Sequence, residues 1–204
     1  MSLGTTLARI SEIETALVPK PPAEPSGGAS ESRFARTLGN VALASASPVS
    51  APLGVAAGPG ALGAVAAARG EVGQAEMPPG SNDSPRIAEY RSAVQGAGVG
   101  PWCGYFVSWC ARQAGVPLGD HGEGFGSVGA LYEWAERSGR AIPADAGPPQ
   151  PGDLIVWGGE HVGIVEAVLP DGSIRTIEGN SSDRVSQRTY GPDGGGATGY
   201  VRLG

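Results

Sequence analysis

The chain of 204 residues carries 14 basic and 20 acidic side chains, for a formal charge of −6. That length suits one ordinary domain with appendages. Glu12, Glu14, Glu24 and Glu31 are matched by Arg9, Lys20, Arg33 and Arg36, so the net charge falls on the C-terminal two-thirds, and an acidic domain argues against nucleic acid as the main partner.

Leu3, Leu7, Ile10, Ile13 and Leu17 recur at steps of three and four with Arg9, Glu12 and Glu14 between them, the pattern of an amphipathic helix over residues 1–18. It serves either as a docking or export element or as a helix that folds back on the domain behind it. Pro19, Pro21 and Pro22 end it. Residues 19–62, rich in Pro, Ala, Gly and Ser, read as a flexible linker, so the N-terminal leader is expected to be largely disordered, with one short apolar cluster at Phe34, Leu38, Val41 and Leu43. Residues 53–68 are the longest apolar stretch, but they are built of Gly and Ala, contain Pro59 and fall short of the roughly 20 strongly apolar residues of a membrane helix. No membrane span is expected, and no Sec-type start is visible, so a role outside the cytoplasm requires another export route.

Order is expected to resume over 63–204. Ala64 to Val72 reads as a helix ended by Gly73, and Ser84 to Ala93 as a second, with Ser84 as cap and Pro85 in its first position. After a glycine-rich loop, Cys103 opens an apolar helix that runs through Ala114 and closes at Gly115, and Leu131 to Ser138 forms a fourth. From residue 151 the period changes to that of strands: Leu154 to Trp157, His161 to Leu169, Ser173 to Glu178 and Gly199 to Leu203. Helices followed by an antiparallel sheet define an α+β order.

Cys103 stands where unpaired N–H groups and the positive end of a helix favour a thiolate, the reactive form of cysteine. Cys110 lies within an apolar run of the same helix and reads as core. The seven-residue spacing puts the two about 10.5 Å apart along a helix, too far for a disulfide. Of the two histidines, His121 sits in a loop between Asp120 and Gly122, whereas His161 opens a strand that would hold an imidazole rigidly, so His161 is the expected base. A turn at Pro170-Asp171-Gly172 joins that strand to the next. With Leu169 opposite Ile174, Asn180 falls across from Gly163 on the face of His161, and Glu178 lies one step nearer the turn. Either could orient the imidazole.

Trp102-Cys103-Gly104-Tyr105-Phe106-Val107-Ser108-Trp109, then Pro151-Gly152-Asp153, His161-Val162-Gly163-Ile164-Val165 and Glu178-Gly179-Asn180 resemble, in order and spacing, the cysteine, histidine-dependent amidohydrolase/peptidase (CHAP) family. The resemblance covers 65–204. It implies a papain-like fold and cleavage of an amide bond in peptidoglycan, between sugar and peptide or within stem and cross-bridge peptides. It gives Glu178 the orienting role, whereas the simple hairpin register favours Asn180; a bulge would reconcile them. Trp102, Tyr105, Trp157 and Asn82 are expected to line the substrate. No cofactor and no metal site are expected, although some members of the family hold calcium, and Asn82, Asp83, Asp120 and Glu123 are the loop oxygens that would serve. Ala8-Arg9-Ile10-Ser11-Glu12-Ile13, the proline-rich linker and Phe34-Ala35 resemble leaders of peptidoglycan hydrolases encoded with flagellar genes in actinobacteria. That would make rod, hook or export components partners and flagellar export the route to the cell wall. A phage lysis or tail enzyme and a wall-binding module that does not cut stand as alternatives.

Overall fold

The structure, a computed structural model, describes residues 57–204. The expected leader helix over 1–18, the apolar cluster at Phe34 and most of the linker lie outside the described residues. The first helix, α1, spans Pro59–Gly70 and so begins at Pro59 rather than Ala64. Proline is suited to a first helical position, where its missing N–H has no partner to lose, and Ala61, Ala64, Val65 and Ala68 form one buried stripe. Helix α2 (Pro85–Arg91) starts as expected: Ser84 accepts from the Ile87 N–H and Pro85 follows. Helix α3 (Cys103–Gln113) is capped at its end by Ala114, with Gly115 at φ +73° turning the chain out. Helix α4 (Val128–Arg137) starts earlier than Leu131 because Ser127 caps it by accepting from the Ala130 N–H.

Six strands follow. They are β1 (Ala141–Pro143), β2 (Leu154–Trp157), β3 (His161–Val168), β4 (Ile174–Glu178), β5 (Ser186–Tyr190) and β6 (Gly199–Val201), paired antiparallel in the order β1-β6-β2-β3-β4-β5. The α+β order read from the sequence is the one observed. The outer strands β1 and β5 were not anticipated. The exposed middle of β5, Gln187-Arg188-Thr189, lacks the alternation that marks a half-buried strand.

Two layers of apolar residues hold this together. Val162, Ile164, Ile177, Leu154 and Val201 pack under the helices with Phe106, Val107, Cys110 and Trp102. The opposite sheet face carries a smaller cluster of Ile155, Val165, Ile174 and Tyr200, with Trp157 against it. Fully burying one such large side chain is worth about 1.5–3 kcal/mol. Cys103 and Cys110 are both free thiols.

The β3–β4 pairing departs from the simple register. Val168 faces Ile174 and Ala167 faces Arg175, but Val165 then faces Thr176 and Ile164 faces Ile177, so Glu166 stands as an extra residue in a bulge. Its buried carboxylate binds Arg69 of α1 and Arg175 of β4, each at 2.7 Å, and accepts from Gln187 of β5 at 2.9 Å. Those three partners fix the bulge. Val168 rather than the expected Leu169 stands opposite Ile174, which shifts the pairing by one residue, and the bulge shifts it by one more, so that continuing the ladder brings Glu178, rather than Asn180, opposite Gly163.

Candidate active site

The position of Cys103, the expected nucleophile, follows from the start of α3. Trp102 is its N-cap and offers no side-chain oxygen to the first turn, where Ser, Thr, Asp or Asn would accept from an N–H. The first-turn donors therefore remain available to a ligand. Cys103, only 4% exposed, sits among them, and its sulfur lies 3.9 Å from the carbonyl oxygen of Glu160.

His161 is the first residue of β3 and pairs with Trp157 across the β2–β3 ladder. Their rings stack with centroids 5.5 Å apart. Its Nε2 lies 2.9 Å from Glu178 Oε2. A carboxylate can only accept, so Nε2 carries the hydrogen and Nδ1 is left for the Cys103 sulfur. Burial of the ring works against its charge, but the Cys103 sulfur and the Glu178 carboxylate outweigh it and push the imidazole up to about 9. Cysteine, histidine and glutamate thus form one array.

Glu178 is 1% exposed. Burial pushes its carboxyl up, yet hydrogen bonds from His161, Thr176 and Tyr190 hold it below the usual carboxylate range. Thr176 Oγ1 donates to Oε1 at 2.6 Å and Tyr190 OH donates to the same oxygen at 2.9 Å, leaving Oε2 to the imidazole. Tyr190 also packs on Trp157, with centroids 5.1 Å apart. Burial and the neighbouring carboxylate push the Tyr190 phenol up to about 12, so it stays a donor at neutral pH.

Two glycines permit the assembly. A Cβ on Gly163 would meet Glu178 Cγ at 2.7 Å, so this glycine makes room for the glutamate rather than for the imidazole. A Cβ on Gly179 would stand 2.5 Å from Phe106 Cβ and 3.0 Å from Trp102. Its absence lets the end of β4 lie directly on α3.

Asn180 does not reach His161, because the turn register and the bulge together have given that place to Glu178. Its amide is satisfied in the orientation in which Nδ2 donates to Glu76 Oε1 and Oδ1 accepts from the Trp102 N–H, both at 3.2 Å; in the opposite orientation its contact is Asn82 Oδ1 at 3.4 Å. We adopt the first. Of the residues expected to line a substrate, Trp102 is fully buried, its indole donating to Glu76 Oε1 at 2.9 Å, so it braces the site from below instead of meeting a ligand. Tyr105, Trp157 and Asn82 are partly exposed. Tyr105 OH donates to the Gly98 carbonyl and Trp157 Nε1 to the Gly194 carbonyl, which leaves ring faces as their contact surfaces.

His121 lies in the expected loop, its backbone N–H donating to Glu123. Among the described residues no three His, Cys, Asp or Glu side chains converge as a metal site. Asp83 pairs with Arg91, Asp120 accepts from the Trp134 indole, and Glu123 accepts from the His121 backbone. No described helix is long and apolar enough to cross a membrane.

Thr176, Tyr190 and Glu76 are the site residues that sequence reasoning missed. Thr176 had a signal, since it lies two residues before Glu178 and shares its face in a strand. Tyr190 and Glu76 had none.

The α+β frame thus brings together a cysteine at a helix start, a histidine at a strand start and a buried glutamate behind it. Residues 95–180 match the family model of the CHAP domain. No curated protein and no solved structure matches the chain.

Proposed function

We propose that the protein is a cysteine amidase or peptidase acting on peptidoglycan, with Cys103 as nucleophile, His161 as base and then acid, and Glu178 as the group that orients the imidazole. The observation that supports it best is the hydrogen bond of 2.9 Å from His161 Nε2 to a glutamate itself held by two donors. With Nε2 donating to the carboxylate, Nδ1 is the ring nitrogen left to share a proton with sulfur. The family match supports the substrate class.

In the proposed cycle the proton of the Cys103 thiol rests on His161 Nδ1, and the thiolate attacks the amide carbonyl carbon. Oxyanion charge develops beside the first-turn N–H groups of α3, the backbone N–H of Cys103 among them. The C–N bond then breaks as the imidazolium protonates the leaving amine. Water, giving a proton to His161, attacks the thioester, and a carboxylic acid and the thiol are released. Glu178 remains ionised throughout and steadies the imidazolium.

Tyr105 and Trp157 are proposed to offer ring faces to the substrate. The link to flagellar assembly, and with it export to the cell wall, is proposed from the leader sequence alone. Mass spectrometry of muropeptides released from purified walls tests the main reading. Products with a newly opened amide, absent with Cys103→Ala, are expected; release of sugar fragments alone, or no release by the native protein, would refute it.

A further inference from the structure

Glu76 precedes the matched segment and takes no part in the proposed chemistry, yet it holds the side chain of the residue next to Cys103. Its carboxylate is 5% exposed, and among the described residues no arginine or histidine pairs with it. N–H donors satisfy it instead. Oε1 accepts from the Trp102 indole at 2.9 Å and from Asn180 Nδ2 at 3.2 Å, and Oε2 accepts from the Asn82 backbone at 2.8 Å. The loop carrying it is pinned by the Glu76 N–H to Asp183 carbonyl bond of 2.9 Å and by the bridge of Ala75 with Arg184.

Trp102 immediately precedes Cys103, and Asn180 follows Glu178 by two residues. One carboxylate therefore ties together the chain segments that present the nucleophile and the orienting acid, and Asn180 closes the link by accepting from the Trp102 N–H at 3.2 Å. Burying a carboxylate without a cation is costly. Packing alone would be served better by an apolar residue or an amide. What only a carboxylate provides here is two acceptor oxygens facing three donors.

We propose that Glu76 is a positioning residue that sets the Cys103 sulfur against His161 through Trp102 and Asn180. The proposal rests on the assignment of Cys103 and His161 made above. Glu76→Gln keeps the volume but turns one oxygen into an amide that faces a donor. Because small misplacements at a reacting centre cost up to about 100-fold, kcat is expected to fall about tenfold or more with KM within about twofold. The His161 titration midpoint, followed by NMR without substrate, should drop below about 9, since the sulfur helps to hold it there.

Asp153→Asn is the control. That carboxylate is as buried, binding Arg202 and the Gln150 N–H, but stands at the end of β2 away from Trp157 and His161. It should lower Tm and leave kcat and the midpoint in place. Trp102→Phe, which removes the indole donor and part of the buried ring, should lower kcat and the His161 midpoint together, and through the midpoint it decides the matter if Glu76→Gln does not fold. A folded Glu76→Gln or Trp102→Phe with native kcat and midpoint would overturn the proposal, as would an equal loss of kcat in Asp153→Asn. The midpoint needs no substrate, so it still judges Glu76 if the native protein proves inactive on peptidoglycan.

Discussion

Replacing Glu178 by Gln removes the charge behind the imidazole while keeping its shape. His161 stands at about 9 against about 6.5 for a free imidazole. At 1.36 kcal/mol per unit this is a net preference for the imidazolium of about 3 kcal/mol, supplied by Cys103 and Glu178 against the cost of burial. A neighbouring opposite charge is worth about 1–3 units, so Glu178→Gln should bring His161 down by about one unit or more. The alkaline limb of kcat/KM, set by loss of the imidazolium that protonates the leaving amine, should move with it. Stability should follow in the same sense. The folded value is raised, so the contribution is fully present below about pH 6.5 and is lost as pH rises through about 9. Urea unfolding at pH 6 and pH 10 should show this loss in the native protein and a smaller one in the variant. The assay is turnover of a soluble muropeptide from pH 5 to 10.5. An alkaline limb unmoved near 9 in a folded Glu178→Gln would refute the orienting role and the tautomer derived from it.

Cys103→Ala should abolish hydrolysis while the protein still unfolds cooperatively, whereas Cys110→Ala, at a fully buried site, should lose about 1 kcal/mol of stability and keep its kcat. Gly163→Ala places a methyl 2.7 Å from Glu178 Cγ, so it should lower kcat by about tenfold or more with little change in KM, as measured on the same muropeptide. Deleting residues 1–56 should leave turnover of a soluble muropeptide unchanged, since Cys103, His161 and Glu178 meet one another within residues 57–204; a loss would place the leader within the catalytic unit.

Local chemistry was legible where a single residue decides it. Ser84 and Pro85 announce α2, Cys103 after a loop announces the start of α3, and His161 opening an alternating run announces β3. The choice between Glu178 and Asn180 was not legible, because it depends on a turn that sets Val168 rather than Leu169 opposite Ile174 and on a bulge at Glu166 fixed by Arg69 and Arg175, and Arg69 is remote in sequence. Strand β5 hides behind its solvent-facing polar residues, and with it Tyr190, whose hydroxyl reaches Glu178 only after the sheet has formed. Trp102 read as a ligand contact from its place beside the nucleophile. The N-cap position turns it inward instead, against Tyr90 and Glu76.

The central claim is that the Cys103 thiolate performs the cleavage, and titrating the folded protein with iodoacetamide tests it most directly. In the same samples, modification of Cys103 and of Cys110 is mapped by peptide mass spectrometry, and amine groups released from purified peptidoglycan are counted. Cys110 is fully buried, and burial pushes its thiol well above the ordinary value, so it should remain unmodified until the protein unfolds. Activity should fall in direct proportion to Cys103 modification and vanish at one equivalent; amine release that persists with Cys103 fully alkylated would contradict the account.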